Sequence, residues 1–233
     1  MHQATPQPLV RPDSFFARLR DSCADDWRAY TEHAFVQQLA AGTLPEASFR
    51  HYLIQDYLFL IHFARAYGLA IYKADNLVDM RAAAATVNAL LDVEMRLHVE
   101  YCAGWGIAET DIQAAPEAGA TMAYTRYVLE RGLAGDSLDL MVALAPCVVG
   151  YGEIGATLAA DPTTRLADNP YASWIEMYAG EDYRTVAIAA VAQLDRLAAE
   201  RLTPAREDAL RTTFCQATRL EAAFWEMGLT IAS

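Results

Sequence analysis

Apolar residues recur at intervals of three and four from residue 14 to residue 229, and no period-2 run is bounded by hairpin turns. The pattern therefore predicts helices and no sheet. Eight segments carry it. "SFFARLRDSCADDWRAYTEH" predicts one amphipathic helix, with Ser14 as its cap and Phe15, Leu19, Cys23 and Trp27 on one face. "GTLPEASFRHYLIQDYLFLIHFARAYGLAIYKA" predicts a long second helix, with Pro45 at its first position and Glu46 in its first turn. "DMRAAAATVNALLDVEMRLHVEYCAGWG" is the third, ended by Gly104 or Gly106, and "PEAGATMAYTRYVLERGLAG" the fourth, with Pro116 at its start and Gly132 or Gly135 as its stop. "DSLDLMVALAPCVVGYGEIGATLAAD" is the fifth, capped by Asp136 or Ser137. "NPYASWIEMYAG", "EDYRTVAIAAVAQLDRLAAERL" and "TPAREDALRTTFCQATRLEAAFWEMGL" complete the series. Connections are short, and no repeat or low-complexity linker divides the chain. The expectation is one all-α domain over residues 1–233, a bundle of seven or eight helices, with residues 1–12 as a flexible N-terminal segment.

Polar exceptions on the apolar stripes carry the chemical information. The second helix has a stripe of Tyr52, Asp56, Phe59, Phe63 and Tyr67, and the last helix one of Phe214, Ala217, Glu221, Phe224, Trp225 and Gly228. A carboxyl among such neighbours must find partners or stay neutral. Asp56 and Glu221 are therefore either halves of structural ion pairs or site acids, and Glu221 has surroundings that suit a proton donor near neutral pH. In the fifth helix Pro146 removes the partner of the Val142 carbonyl, which predicts a kink. Cys147 follows it directly and shares a face with Tyr151, one turn on. A free cysteine on an apolar helix is usually a small hydrophobe, and no histidine or lysine is adjacent to activate it. Spacing leaves the thiol undecided.

Other candidates are weaker. Glu94 and His98 stand at i, i+4, which fits a metal pair or a buried hydrogen-bonded pair. His62 has no acid three or four residues before it. Tyr124, Tyr127, Tyr178 and Tyr183 are core or pocket aromatics. "GYGEIG" lacks the dinucleotide fingerprint and follows no strand.

Composition narrows the function classes. The 233 residues are 54% hydrophobic and 21% charged, with a formal net charge of −12. No basic cluster offsets that charge locally, which argues against nucleic acid and anionic membranes as partners. No stretch approaches the roughly 20 uninterrupted apolar residues of a membrane span, and the N-terminus has no signal-peptide pattern. Cys23, Cys102, Cys147 and Cys215 are scattered, without a C-x-x-C pair, so free thiols and a cytoplasmic location are expected.

Three segments together resemble the thiaminase II (TenA-type) aminopyrimidine aminohydrolases: "FRHYLIQDYLFLIHFARA", "ALAPCVVGYGEIG" with "WIEMYAGEDY", and "LEAAFWEMG". The likeness runs from about Phe15 to Leu229 and lies with the cysteine-containing members. It implies an up-and-down helical bundle shared with haem oxygenases, no metal or organic cofactor, and a homo-oligomer, commonly a tetramer. It further implies Cys147 as nucleophile, Glu221 as the acid serving leaving amine and incoming water, and Asp56 as the group holding the pyrimidine edge. Tyr124, Tyr151 and Tyr178 match tyrosines of the pocket, with Glu153 and Trp174 as supporting residues. The implied substrate is 4-amino-5-aminomethyl-2-methylpyrimidine or a thiamin derivative, hydrolysed to the hydroxymethyl pyrimidine. Phe59 departs from the many relatives that carry tyrosine there; it can stack on the ring but offers no hydroxyl. Two rivals stay open: a pyrimidine-binding or regulatory protein of the same fold, and a haem- or metal-dependent oxygenase with His62 or His98 as ligand.

Overall fold

The Ser14 hydroxyl accepts a hydrogen bond from the Ala17 amide and starts α1 (Phe15–Ser22). It is the first of twelve α-helices among residues 8–231, those that the computed structural model describes; no strand occurs among them. The first predicted helix is in fact two. The backbone leaves helical geometry at Cys23 (φ −134°, ψ 42°), and α2 (Ala24–Thr31) sets off with Asp25 and Asp26 in its first turn. The break lets Phe16 and Trp27 both reach Phe214, with ring centroids 5.4 and 5.7 Å away. The periodicity does not predict α3 (Ala34–Ala41); His33 caps it and Gly42 closes it at φ 67°, a left-handed conformation that favours glycine. Next comes α4 (Glu46–Lys73), immediately after Pro45 as expected.

The third predicted helix is α5 (Leu77–Ala89), a π-helical turn over Leu90–Glu94, and α6 (Met95–Gly104). A short α7 (Glu109–Ala114) follows, also unforeseen, then α8 (Gly119–Ala134), which begins three residues after Pro116. In α9 (Ser137–Ala160) Asp136 accepts from the Leu138 and Asp139 amides, while Asp139 accepts from the Asp136 amide. Completing the chain are α10 (Ala172–Ala179), α11 (Glu181–Arg201) and α12 (Pro204–Leu229). All eight predicted segments are helical; the count is higher because two of them break and two short helices were not foreseen.

The central helix is α9, which continues through Pro146 and packs against α8, α10, α11 and α12. It is long and apolar enough to cross a membrane by length and composition, yet 78% of its most apolar window is buried inside the fold. Such a helix, apolar all round, belongs to the core. Its small residues let neighbours approach: a Cβ on Gly150 would come within 2.3 Å of the Tyr30 ring. Around it Trp225 stacks on Phe35 at 5.0 Å and meets Tyr52 and Tyr151 at 5.2 and 5.3 Å. Glu153 accepts from Arg20 and from the Trp27 indole at 2.8 and 2.9 Å, tying α1 and α2 to α9. At the N-terminal end Leu9 and Val10 pack on the core, and Arg11 pairs with Asp195 at 2.9 Å. Residues 1–7 of the segment expected to be flexible lie outside the described residues. The four cysteines are free.

Candidate active site

Between α4, the α5–α6 arm, α9 and the α10–α11 corner lies a cavity of about 790 Å³. The stripe read from α4 forms one wall: Asp56, Phe59, Phe63 and Tyr67 all border it. From α9 come Cys147 and Tyr151, and from α10 comes Tyr178. Five of the seven expected site residues, Asp56, Phe59, Cys147, Tyr151 and Tyr178, thus face one space. The other two, Tyr124 and Glu221, are behind the wall, 1% and 2% exposed.

Asp56 is held by a histidine. The His98 ring lies with Nε2 2.6 Å from Oδ2 of Asp56 and Nδ1 2.8 Å from the Glu94 carbonyl oxygen. A carboxylate and a carbonyl can only accept, so both ring nitrogens carry protons and the ring is an imidazolium. Burial opposes that charge, but the hydrogen bond and charge of Asp56 outweigh it, and the pKa of His98 is raised. The Tyr52 hydroxyl donates to the same Oδ2 at 3.4 Å and itself accepts from the Trp174 indole at 3.3 Å. Every protein hydrogen bond to Asp56 thus ends on Oδ2, which leaves Oδ1 for a ligand among the described residues.

Behind the wall, Glu221 from α12 accepts a hydrogen bond from the Tyr124 hydroxyl at 2.8 Å. Burial drives the Glu221 carboxyl up to about 8, with Asp56 adding to the shift and Tyr124 and Cys147 opposing it. The same burial, together with the charges of Glu221, Asp56 and Glu94, pushes the Cys147 thiol well above its ordinary value. Cys147 therefore rests as a thiol, and its activation needs a proton acceptor at hand. Glu221 is a group that interacts with it directly. Burial likewise raises Tyr124, Tyr151 and Tyr178, so these phenols stay neutral donors. Phe59 lies against Tyr124, Phe63 and Phe224, with ring centroids 5.1, 5.2 and 5.6 Å apart.

Two features escaped the sequence. The i, i+4 spacing put Glu94 and His98 on one face but could not name the partner of His98, which comes from α4, 42 residues earlier. Glu94 itself borders the cavity, as do Tyr67 and Tyr183. His98 is no free ligand, since both its nitrogens are engaged, and His62 is bound to Glu117 at 2.9 Å and Arg126 at 3.1 Å. Among the described residues no group of three or more His, Cys, Asp or Glu is arranged to hold a metal ion. The oxygenase reading loses its two proposed ligands.

A sequence model of the TENA/THI-4/PQQC family matches residues 20–230. The chain belongs to this family. A solved TenA family transcription regulator from Silicibacter sp. TM1040 is 47% identical, covers 93% of this chain and 96% of its own, and superposes with a TM-score of 0.88. An uncharacterized protein of Haemophilus influenzae is 43% identical over 88% of this chain and 94% of its own. The aminopyrimidine aminohydrolase of Halalkalibacterium halodurans is 36% identical over 92% of this chain and 95% of its own. A Shewanella denitrificans domain with a heme oxygenase-like fold, 14% identical at a TM-score of 0.69, shares the fold alone. The TenA-type bundle expected from the three segments is therefore the fold of this chain.

Proposed function

We propose that this TenA-family chain is an aminopyrimidine aminohydrolase (thiaminase II) that hydrolyses 4-amino-5-aminomethyl-2-methylpyrimidine to the hydroxymethyl pyrimidine and ammonia, in thiamin salvage. The observation that carries the reading is a cavity bordered by both the Cys147 thiol and the imidazolium-bound Asp56, with the thiol in contact with Glu221, which accepts from Tyr124. The aminopyrimidine aminohydrolase from Halalkalibacterium halodurans, similar over nearly its whole length, supports it.

In this mechanism the free Oδ1 of Asp56 accepts hydrogen bonds from the pyrimidine edge, and Phe59, Tyr151 and Tyr178 enclose the ring. The thiol proton passes to Glu221 as sulfur bonds to an electron-poor ring carbon. The ring nitrogen enters protonated, with its N–H donated to Asp56; the displaced electron pair settles on it, and it keeps that proton throughout. That pair then returns to expel the amine from the exocyclic carbon, and Glu221 gives the amine its proton. Water adds to the exocyclic methylene and yields its proton to Glu221; loss of the thiolate restores the ring, and Glu221 returns that proton to sulfur. A carboxyl near 8 suits this shuttle because it changes form close to working pH. The same route releases a thiazole from thiamin.

The test is ammonia release from the aminomethyl pyrimidine. Wild-type protein should turn over, and Cys147→Ala should bind the pyrimidine while losing turnover. Ammonia release by that variant would remove the nucleophile from the scheme. A second reading, a pyrimidine-binding regulatory protein, is favoured by Phe59 in place of tyrosine and by the name of the Silicibacter relative. Pyrimidine binding without ammonia release by wild-type protein selects it.

The proposal extends to setting. Free thiols fit a cytoplasmic protein. Tyr72, Leu77, Val78 and Leu133, 62–84% exposed, supply apolar surface for a homo-oligomer, a tetramer by family likeness.

A further inference from the structure

The proposed chemistry uses Asp56, Cys147 and Glu221 but leaves Glu94, another carboxyl that borders the cavity, idle. Glu94 ends the π-helical turn Leu90–Glu94, a type of helix irregularity that occurs often at functional sites. Its backbone carbonyl is spent on His98, but its side chain has no hydrogen bond and no ion pair among the described residues. The groups acting on it are Asp56 and His98, and it acts in turn on Tyr67, Cys147, Tyr178 and Tyr183. Burial pushes its carboxyl up to about 7, with His98 opposing and Asp56 adding. The cation nearest this carboxyl, His98, is already neutralised by Asp56, so the ionised form of Glu94 gains most from a ligand that brings a cation of its own.

The rest of the lining points the same way. Among the described residues no lysine or arginine borders the cavity, whereas Glu176, Glu181 and Asp182 do, on the side of α10 and α11. The aromatic faces of Phe59, Phe63 and Tyr67 are favourable to a cation as well. An aliphatic amine is protonated at neutral pH, and an aminomethyl arm on the pyrimidine is such an amine. We propose that Glu94 is the specificity-determining residue that binds the positively charged arm of the substrate, so that the site selects protonated amines over their neutral alcohol counterparts. This inference rests on the aminopyrimidine reading. Glu94 recognises the charged arm in the ground state and takes one proton from it before attack, so that Glu221 protonates a neutral leaving amine and Glu94 returns its proton to the departing ammonia.

The test is calorimetric binding at pH 8 in the Cys147→Ala background, which prevents turnover, with and without Glu94→Gln. The probes are the aminomethyl pyrimidine and the hydroxymethyl pyrimidine, which differ at the arm alone. Glu94→Gln should weaken the aminomethyl compound about 10-fold or more, as expected for a lost charged hydrogen bond. It should leave the hydroxymethyl compound within about 2-fold, which also shows that the variant is folded. Equal weakening of both compounds, or of neither, overturns the role of Glu94 and leaves the aminohydrolase reading intact. Charge-selective loss in a protein whose wild type releases no ammonia upholds the role of Glu94 and removes the hydrolase. Failure of Cys147→Ala to bind either compound overturns both.

Discussion

The imidazolium of His98 and the carboxylate of Asp56 are joined at 2.6 Å in side chains only 5% and 7% exposed. Removing one member of such a pair leaves the other charge buried and uncompensated. His98→Ala leaves Asp56 with only the long bond from Tyr52 and without the group that fixes its orientation toward a pyrimidine edge. The expected outcome is a loss of about 3 kcal/mol in denaturant unfolding and a KM for the aminopyrimidine raised about 10-fold. Unchanged KM in a folded His98→Ala protein would show that Asp56 orients itself without the histidine.

Phe59 borders the cavity beside Asp56 and lies 5.1 Å from Tyr124, ring to ring. Phe59→Tyr adds a hydroxyl to a ring that packs on Tyr124, Phe63 and Phe224 and borders the cavity. Turnover equal to or faster than wild type is expected, with stability changed by less than about 1 kcal/mol. A collapse of the rate would show that the phenylalanine is required where relatives carry tyrosine.

The stripes of α4 and α12 were legible as periodicity, and every member of both is buried, Asp56 and Glu221 included. Periodicity also found Cys147, but only family likeness gave it a reaction, because nothing local to Cys147 distinguishes a nucleophile from a small hydrophobe. What remained illegible depends on contacts between distant segments. The spacing offered His98 a metal pair or a buried hydrogen-bonded pair with Glu94; it bonds the Glu94 carbonyl, and its carboxylate partner is set by how α6 crosses α4. The break at Cys23 is equally silent, since a continuous helix would satisfy the same stripe; only the shared target Phe214 explains it. Glu153 lies off the face of Cys147 and serves Arg20 and Trp27, as its position on the helix implied.

Glu221 makes stability depend on pH with a defined sign. Its folded-state pKa near 8 exceeds the ordinary 4.5, so between those values the native state holds more protons than the unfolded chain. Stability then falls as pH rises through that window and levels off above it. Raised Glu94 and His98 act in the same direction, while lowered His33, His51 and His62 act against it. The clean readout is therefore a difference. Glu221→Gln keeps an acceptor for Tyr124 and removes the titration, so its advantage over wild type in urea unfolding should grow from pH 5 to pH 8, toward a few kcal/mol at about 1.4 kcal/mol per unit. A difference that stays constant with pH would mean that Glu221 titrates as an ordinary carboxyl.

The close approach of α9 to α10 gives the last expectation. A Cβ on Gly155 would lie 2.4 Å from the carbonyl carbon of Tyr178 and 2.7 Å from the Ala179 nitrogen. These are backbone atoms and cannot swing aside, so Gly155→Ala must push the two helices apart. That displacement carries Trp174 and Tyr178, and with them the indole that supports Tyr52 and one wall of the cavity. The cost should be about 1–3 kcal/mol, the range for overpacking, with weaker pyrimidine binding. Gly68 is the control, for it sits within α4 and a methyl group on its Cα would meet nothing within 4 Å. Gly68→Ala should stabilise by up to about 1 kcal/mol through helix propensity alone. Opposite signs in urea unfolding for two Gly→Ala changes within long helices would show that contact with α10, not glycine as such, decides the outcome at Gly155.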